Sequence, residues 1–144
     1  MRDDRATEGL AGGVDPPRPA RVLVVEDEAD LVWVIRFNLE MEGYRTFVAA
    51  NGEAALDFIR RDPPDIMLLD LMMPVMDGWA VLEEMRREGW DRPKVIVVSA
   101  RTGPADRARA EELHVDAFMS KPFDTDELLE KVKSLARPPS TFQP

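Results

Sequence analysis

The sequence contains no cysteine and a single histidine, His114. Without thiols there can be no disulfide, no thiolate nucleophile and no cysteine-ligated zinc, and a reducing cytoplasm is the compartment that fits. His114 lies at the end of a weakly apolar segment, with no second histidine and no kinase-like glycine loop, so it reads as a surface residue rather than a phosphohistidine. No apolar run approaches the ~20 residues a membrane-spanning helix needs, and the N-terminus is polar and acidic, unlike a signal segment. Basic residues are the minority, 19 against 28 acidic ones for a net charge of -9, and no dense Lys/Arg block is present. That balance argues against direct nucleic-acid binding and against a membrane surface as partner.

The 144 residues suit one domain with a core between layers. Residues 1–20 are rich in Gly, Pro, Asp and Arg and read as a disordered leader, and 137–144 as a flexible tail, leaving 21–136 as the folded unit. Val22-Leu23-Val24-Val25 is a short unbroken apolar run of the kind buried on both faces of a central parallel strand, and similar runs at Thr46-Phe47-Val48-Ala49, Ile66-Met67-Leu68-Leu69, Val95-Ile96-Val97-Val98 and, more weakly, Ala117-Phe118-Met119 predict five strands in all.

Between them, helical spacing occurs at Leu31/Ile35/Leu39, Ala55/Phe58/Ile59, Leu82/Met85 and Leu128/Val132/Leu135. Gly43, Asn51-Gly52, Asp62-Pro63-Pro64, Asp77-Gly78 and Gly89 punctuate these helices, and Asp124 or Thr125 can cap the last. The fourth helix, around Ala105 to Leu113, lacks an apolar stripe and is expected to be mobile. The alternation predicts an α/β fold, a (βα)5 doubly wound five-stranded parallel sheet in a three-layer sandwich. Ligands of such sheets sit beyond the carboxyl ends of the strands.

Those ends carry the chemistry. The first strand runs into Glu26-Asp27, the third ends at Asp70, the fourth at Ser99, and the fifth leads to Lys121-Pro122. Crowded carboxylates repel one another and take up protons unless something positive joins them. Lys121 cannot balance three anions, so a hard divalent cation with oxygen ligands is expected, Mg²⁺ first and Mn²⁺ as the alternative.

Val24-Val25-Glu26-Asp27-Glu28, Leu69-Asp70-Leu71-Met72-Met73-Pro74 with Met76-Asp77-Gly78, Val98-Ser99-Ala100 and Phe118-Met119-Ser120-Lys121-Pro122-Phe123 form an ordered set. In that set the chain resembles the receiver domain of bacterial two-component response regulators, over residues 21–136. The resemblance implies a CheY-like, flavodoxin-like fold that stands alone without an output module. It implies Asp70 as phosphoryl acceptor and Asp27 as a direct metal ligand, with Glu26 a ligand through water and Met72 a ligand through its backbone carbonyl. Lys121 would pair with the acceptor carboxylate and then with the phosphoryl oxygens. Ser99 is similar to the family's switch hydroxyl and Phe118 to its switch aromatic, and the Ala100 amide would join Ser99 on the phosphoryl group.

The phosphoryl donor is then a histidine kinase or phosphotransfer protein, and the listener a downstream protein reached through the fourth helix, fifth strand and fifth helix. The chain would be a phosphoacceptor switch rather than a turnover enzyme. Arg107, Arg109, Asp116 and Lys131 are candidates for charged pairs in a homodimer on that face, where His114-Val115 replaces the family's usual small residues. Lys121-Pro122 is expected to be cis, and the bulk of Met72 and Arg101 to slow loss of the phosphoryl group.

Three other readings compete. A dehalogenase-type phosphatase wants an acidic residue two positions after its nucleophile, where Met72 stands. A flavodoxin-like cofactor binder wants a phosphate cradle where Glu26-Asp27-Glu28 would repel it. A phosphate-independent interaction module would have no use for the acidic and basic set. Trp33 and Trp90 are read as packing residues, and Trp79 as a fluorescent reporter near Asp70.

Overall fold

The computed structural model describes residues 18–136, so the expected tail and nearly all of the expected leader lie outside the described residues. The chain alternates β1 (Arg21–Val25), α1 (Ala29–Met41), β2 (Arg45–Ala49), α2 (Gly52–Arg61), β3 (Ile66–Asp70), α3 (Gly78–Glu88), β4 (Lys94–Ser99), α4 (Pro104–Glu112), β5 (Ala117–Ser120) and α5 (Thr125–Ala136). The five strands form one parallel sheet in the order β2-β1-β3-β4-β5. Strand order reverses between β1 and β3, and this is where a doubly wound sheet opens a crevice.

Side chains alternate between the two faces along each central strand, and this period of two builds two cores. Leu23, Val25, Met67, Leu69, Val95 and Val97 pack on one face with α2, α3 and Ala110 of α4. Val22, Val24, Ile66, Leu68, Ile96 and Val98 pack on the other with Ile35 and Leu39 of α1 and Leu128 and Val132 of α5. The result is the three-layer sandwich expected from unbroken apolar strands.

Local punctuation explains where the helices stop and start. The Asn51 and Asp77 side chains each accept a hydrogen bond from the amide three residues on, both at 2.9 Å, and so cap α2 and α3. Asp124 accepts from the Asp126 amide at 3.0 Å at the start of α5. Helix α4 ends in a paired turn, His114 N–H to the Glu111 carbonyl and Val115 N–H to the Ala110 carbonyl, both at 3.0 Å. His114 fills the left-handed position of that turn at φ 63°, where glycine is the usual occupant.

Trp33 departs from the expected packing role. It is 64% exposed and stacks on Phe37 with ring centroids 5.2 Å apart. The reason is helical phase: Ile35 and Leu39 carry the buried stripe of α1, and position 33 lies on the opposite side of the helix. Trp90 is half-buried with the Arg60 guanidinium over its ring. Trp79 is 9% exposed within the core.

Gly78 allows α3 to start against the end of β3. A Cβ there would lie 2.6 Å from the Asp70 carbonyl oxygen and 2.8 Å from Leu71 Cα, backbone atoms that cannot swing aside. Gly78→Ala is therefore expected to destabilise the protein by about 1–3 kcal/mol, the usual range for overpacking. Urea denaturation of the variant checks this, and an unchanged midpoint contradicts it.

Candidate functional site

The sheet register sets the site. Val25 pairs with Leu69 and Asp70 with Val98, so the residues just past β1, β3 and β4 emerge side by side at one edge. Glu26 follows β1 and donates its amide to the Ala49 carbonyl at 3.1 Å, continuing the ladder by one bond. Asp70 and Glu26 are each only 5% exposed and Ser99 is fully buried, whereas Asp27 is open to solvent. Carboxylates at this depth are costly unless hydrogen-bonded or paired.

The pairing comes from the far end of the chain. Lys121 Nζ donates to Glu26 Oε1 at 3.0 Å and lies 3.5 Å from Asp70 Oδ2. Its own amide donates to the Ser99 carbonyl at 2.9 Å, which fixes the start of the β5–α5 loop against the end of β4. The Lys121–Pro122 peptide is cis as expected, and Arg92–Pro93 is a second cis bond. Two further donors come from the backbone: the Met72 amide reaches Asp70 Oδ1 and the Glu28 amide reaches Glu26 Oε2, both at 3.2 Å.

Protonation follows from this environment. Burial pushes the Glu26 carboxyl above the ordinary glutamate value, and the neighbouring Asp70 charge adds to the rise that the Lys121 hydrogen bond opposes. Burial also disfavours the Lys121 ammonium, yet the Glu26 hydrogen bond and the charges of Asp70 and Glu26 outweigh it and hold its pKa above the ordinary lysine value.

Whether the site fits a divalent cation can be tested on its oxygens. One carboxylate oxygen each from Glu26, Asp27 and Asp70 lie within 4.8 Å of one another. Oxygens bound to Mg²⁺ at ~2.1 Å span about 4.2 Å across an octahedron, so small side-chain adjustments close this set on an ion. The donors are hard oxygens only, as that ion requires.

The remaining sequence-predicted residues are distributed around this centre. Ser99 Oγ accepts from the Arg101 amide at 2.9 Å, so its hydroxyl is engaged within its own loop. Phe118 is half-buried against the core cluster on the α3 side of the sheet. Met72 is 54% exposed, and the Arg101 guanidinium faces Asp106 at 3.7 Å. Ala100 and Lys121 line a groove of about 460 Å³ with Leu31, Val34, Pro122 and Phe123.

The charges considered for a dimer are engaged within the chain: Arg109 with Glu83 at 2.6 Å, Lys131 with Glu127 at 4.0 Å, and Asp116 Oδ2 with the Val95 amide at 2.8 Å. His114 is exposed and its Nδ1 lies 2.8 Å from Arg86 Nη1, away from the acidic centre. Sequence reasoning misses the role of the fourth dimer candidate, since Arg107 lies over the Phe118 ring at 4.8 Å. It also misses the closeness of Gly78 to the Asp70 backbone. The Asp77-Gly78 pair is the available signal for the second; nothing in the spacing signals the first.

Comparison with known proteins agrees with this arrangement. The model of the family described as the response regulator receiver domain matches residues 22–133. Among solved structures, the receiver domain of the Francisella response regulator 1452 is 31% identical over 81% of this chain and 96% of its own, with a TM-score of 0.77. The signal receiver domain of a signal transduction histidine kinase from Syntrophus aciditrophicus is 30% identical, covering 81% and 89%, with a TM-score of 0.74. A DNA-binding response regulator of the LuxR family from Staphylococcus aureus is 27% identical, covering 82% and 99%, with a TM-score of 0.75.

The raised Glu26 pKa has a measurable sign. Because the folded-state value exceeds the unfolded one of about 4.5, its contribution to stability is complete below that pH and is lost as pH rises through the folded value. In metal-free buffer at neutral pH the ionised Glu26 therefore opposes folding, and Glu26→Gln is expected to raise the denaturation midpoint there. The gain should vanish toward pH 4. A variant less stable than wild type at neutral pH would contradict this.

Proposed function

The chain belongs to the response regulator receiver domain family, and from that premise we propose that it is a phosphoacceptor switch whose modified residue is Asp70. The observation that carries this reading is the convergence of Glu26, Asp27 and Asp70 on one point with the Lys121 ammonium 3.5 Å from Asp70. The donor is a phosphohistidine of a histidine kinase or phosphotransfer protein, seated beside the apolar groove that borders Lys121. The listener is a downstream protein that reads the α4-β5-α5 face. No helix among the described residues is long and apolar enough to cross a membrane, and we place this exchange in the cytoplasm.

An Asp70 carboxylate oxygen attacks phosphorus in line and the donor's P–N bond breaks. The electron pair leaves with the imidazole nitrogen, and Asp70 carries an acyl phosphate. The difficulty is an anion approaching an anion, so catalysis is mostly charge neutralisation and positioning. Asp27, Asp70, Glu26 through water and the Met72 carbonyl would hold Mg²⁺, which supplies positive charge against the phosphoryl oxygens when bound. The Met72 amide holds Asp70 Oδ1 in the meantime, orienting the carboxylate.

Lys121 trades its contact with Asp70 for one with the phosphoryl group, keeping its bond to Glu26. The new oxygens are strong acceptors that the Ser99 hydroxyl and Ala100 amide can reach if their loop turns toward Asp70. Ser99 must first give up the Arg101 amide, and Phe118 occupies the space the loop leaves. This is a switch with a single covalent event per cycle rather than an enzyme acting on a small substrate.

The test is incubation with a phosphoramidate donor and Mg²⁺ followed by intact mass measurement. One added phosphoryl group that disappears when Mg²⁺ is chelated, and in Asp70→Asn, is expected. No adduct, or sustained turnover of a small phosphate ester, contradicts the reading.

A further inference from the structure

Helix α4 is the least apolar helix of the fold, and Ala110 is its one buried residue. Arginines hold it instead. The Arg109 guanidinium lies 4.3 Å from the Trp79 ring centroid and bonds Glu83 at 2.6 Å, tying α4 to α3. The Arg107 guanidinium lies 4.8 Å from the ring centroid of Phe118 on β5, and its Nε donates to the Thr102 carbonyl at 3.2 Å. Among the described residues Arg107 has no carboxylate within ion-pair distance, so this cation is committed to a ring and a loop carbonyl.

That carbonyl belongs to the loop running from Ser99 to Gly103. The loop is otherwise held by the Arg101 amide on Ser99 Oγ at 2.9 Å and by the Arg101–Asp106 pair at 3.7 Å. We infer that Arg107 is a latch that couples the position of the Phe118 ring to the β4–α4 loop, and that it favours the resting arrangement. A guanidinium is planar and presents its donors in a fixed fork, so bonding Thr102 through Nε also sets the plane offered to the ring. The loop cannot close on a group at Asp70 without drawing the cation off Phe118. Equally, the ring cannot turn inward without leaving the cation or pulling on Thr102. Arg107 is thus a positioning residue: it touches no reacting atom and acts through Phe118.

The consequence for signalling rests on the phosphoacceptor reading, whereas the latch can be tested in the resting protein. With a fluorine on the para carbon of Phe118, fluorine NMR should show the resonance shifting and broadening in Arg107→Ala. It should shift less in Arg107→Lys, which keeps the cation without the fork. With Mg²⁺ and beryllofluoride as phosphoryl mimic, Arg107→Ala should bind the mimic roughly three- to tenfold more tightly than wild type, the scale expected when one partly exposed cation–π interaction no longer favours the resting state. That gain should disappear in a Phe118→Leu background, because the two residues act as one unit.

An unmoved resonance, an unchanged affinity, or the same gain in the Phe118→Leu background overturns the latch. If no variant binds the mimic while the resonance moves as described, the latch stands and the phosphoacceptor reading fails.

Discussion

One ammonium group between two buried carboxylates organises this protein. Lys121 sits 3.0 Å from Glu26 and 3.5 Å from Asp70, and a third carboxylate, Asp27, belongs to the same cluster. Burial raises the Glu26 pKa, and the Asp70 charge beside it adds to the rise. A buried pair of this kind is poor evidence of stability, since desolvation offsets the attraction. Its value is chemical: hard carboxylate oxygens gathered beside one ammonium fit a divalent cation.

The fold exists to keep those groups together although they are distant in sequence. Parallel pairing brings the ends of β1 and β3 to one edge, and alternation of side chains buries both faces of the strands that deliver them. The close approach at Gly78 lets α3 begin directly behind Asp70. On the other side of the sheet's edge, polar contacts replace apolar packing: the Ser99 loop and α4 are held by single hydrogen bonds, ion pairs and arginine–aromatic contacts. Elements with few buried apolar contacts are the ones free to rearrange. The acidic cluster therefore stands on well-packed apolar strands, and the polar contacts are confined to the Ser99 loop and α4 beside it.

Much of this is legible in the residues. Unbroken runs such as Ile66-Met67-Leu68-Leu69 declare a strand buried on both faces, and Asn51 and Asp77 cap the helices their positions predict. The acidic ends of β1 and β3, with Lys121 after β5, mark the site by residue type and order alone. What the residues conceal depends on helical phase and on long-range pairing. Trp33 has the composition of a packing residue, but its phase against Ile35 and Leu39 turns it to solvent. His114 stands in a left-handed turn that glycine would ordinarily fill, and no local pattern announces it. Arg107 has the look of a surface charge for a partner, and only the tertiary structure lays it over Phe118.

The central claim is that the crowded anions serve covalent chemistry at one of them. Chemical trapping tests this most directly: phosphorylate the chain with a phosphoramidate in Mg²⁺, reduce the acyl phosphate with borohydride, digest, and locate the reduced side chain by fragmentation mass spectrometry. The account predicts a carboxylate-to-alcohol conversion at Asp70 that is absent without Mg²⁺. Reduction at Asp27 or Glu26, a phosphoryl group found instead on His114, or labelling indifferent to the metal would contradict it.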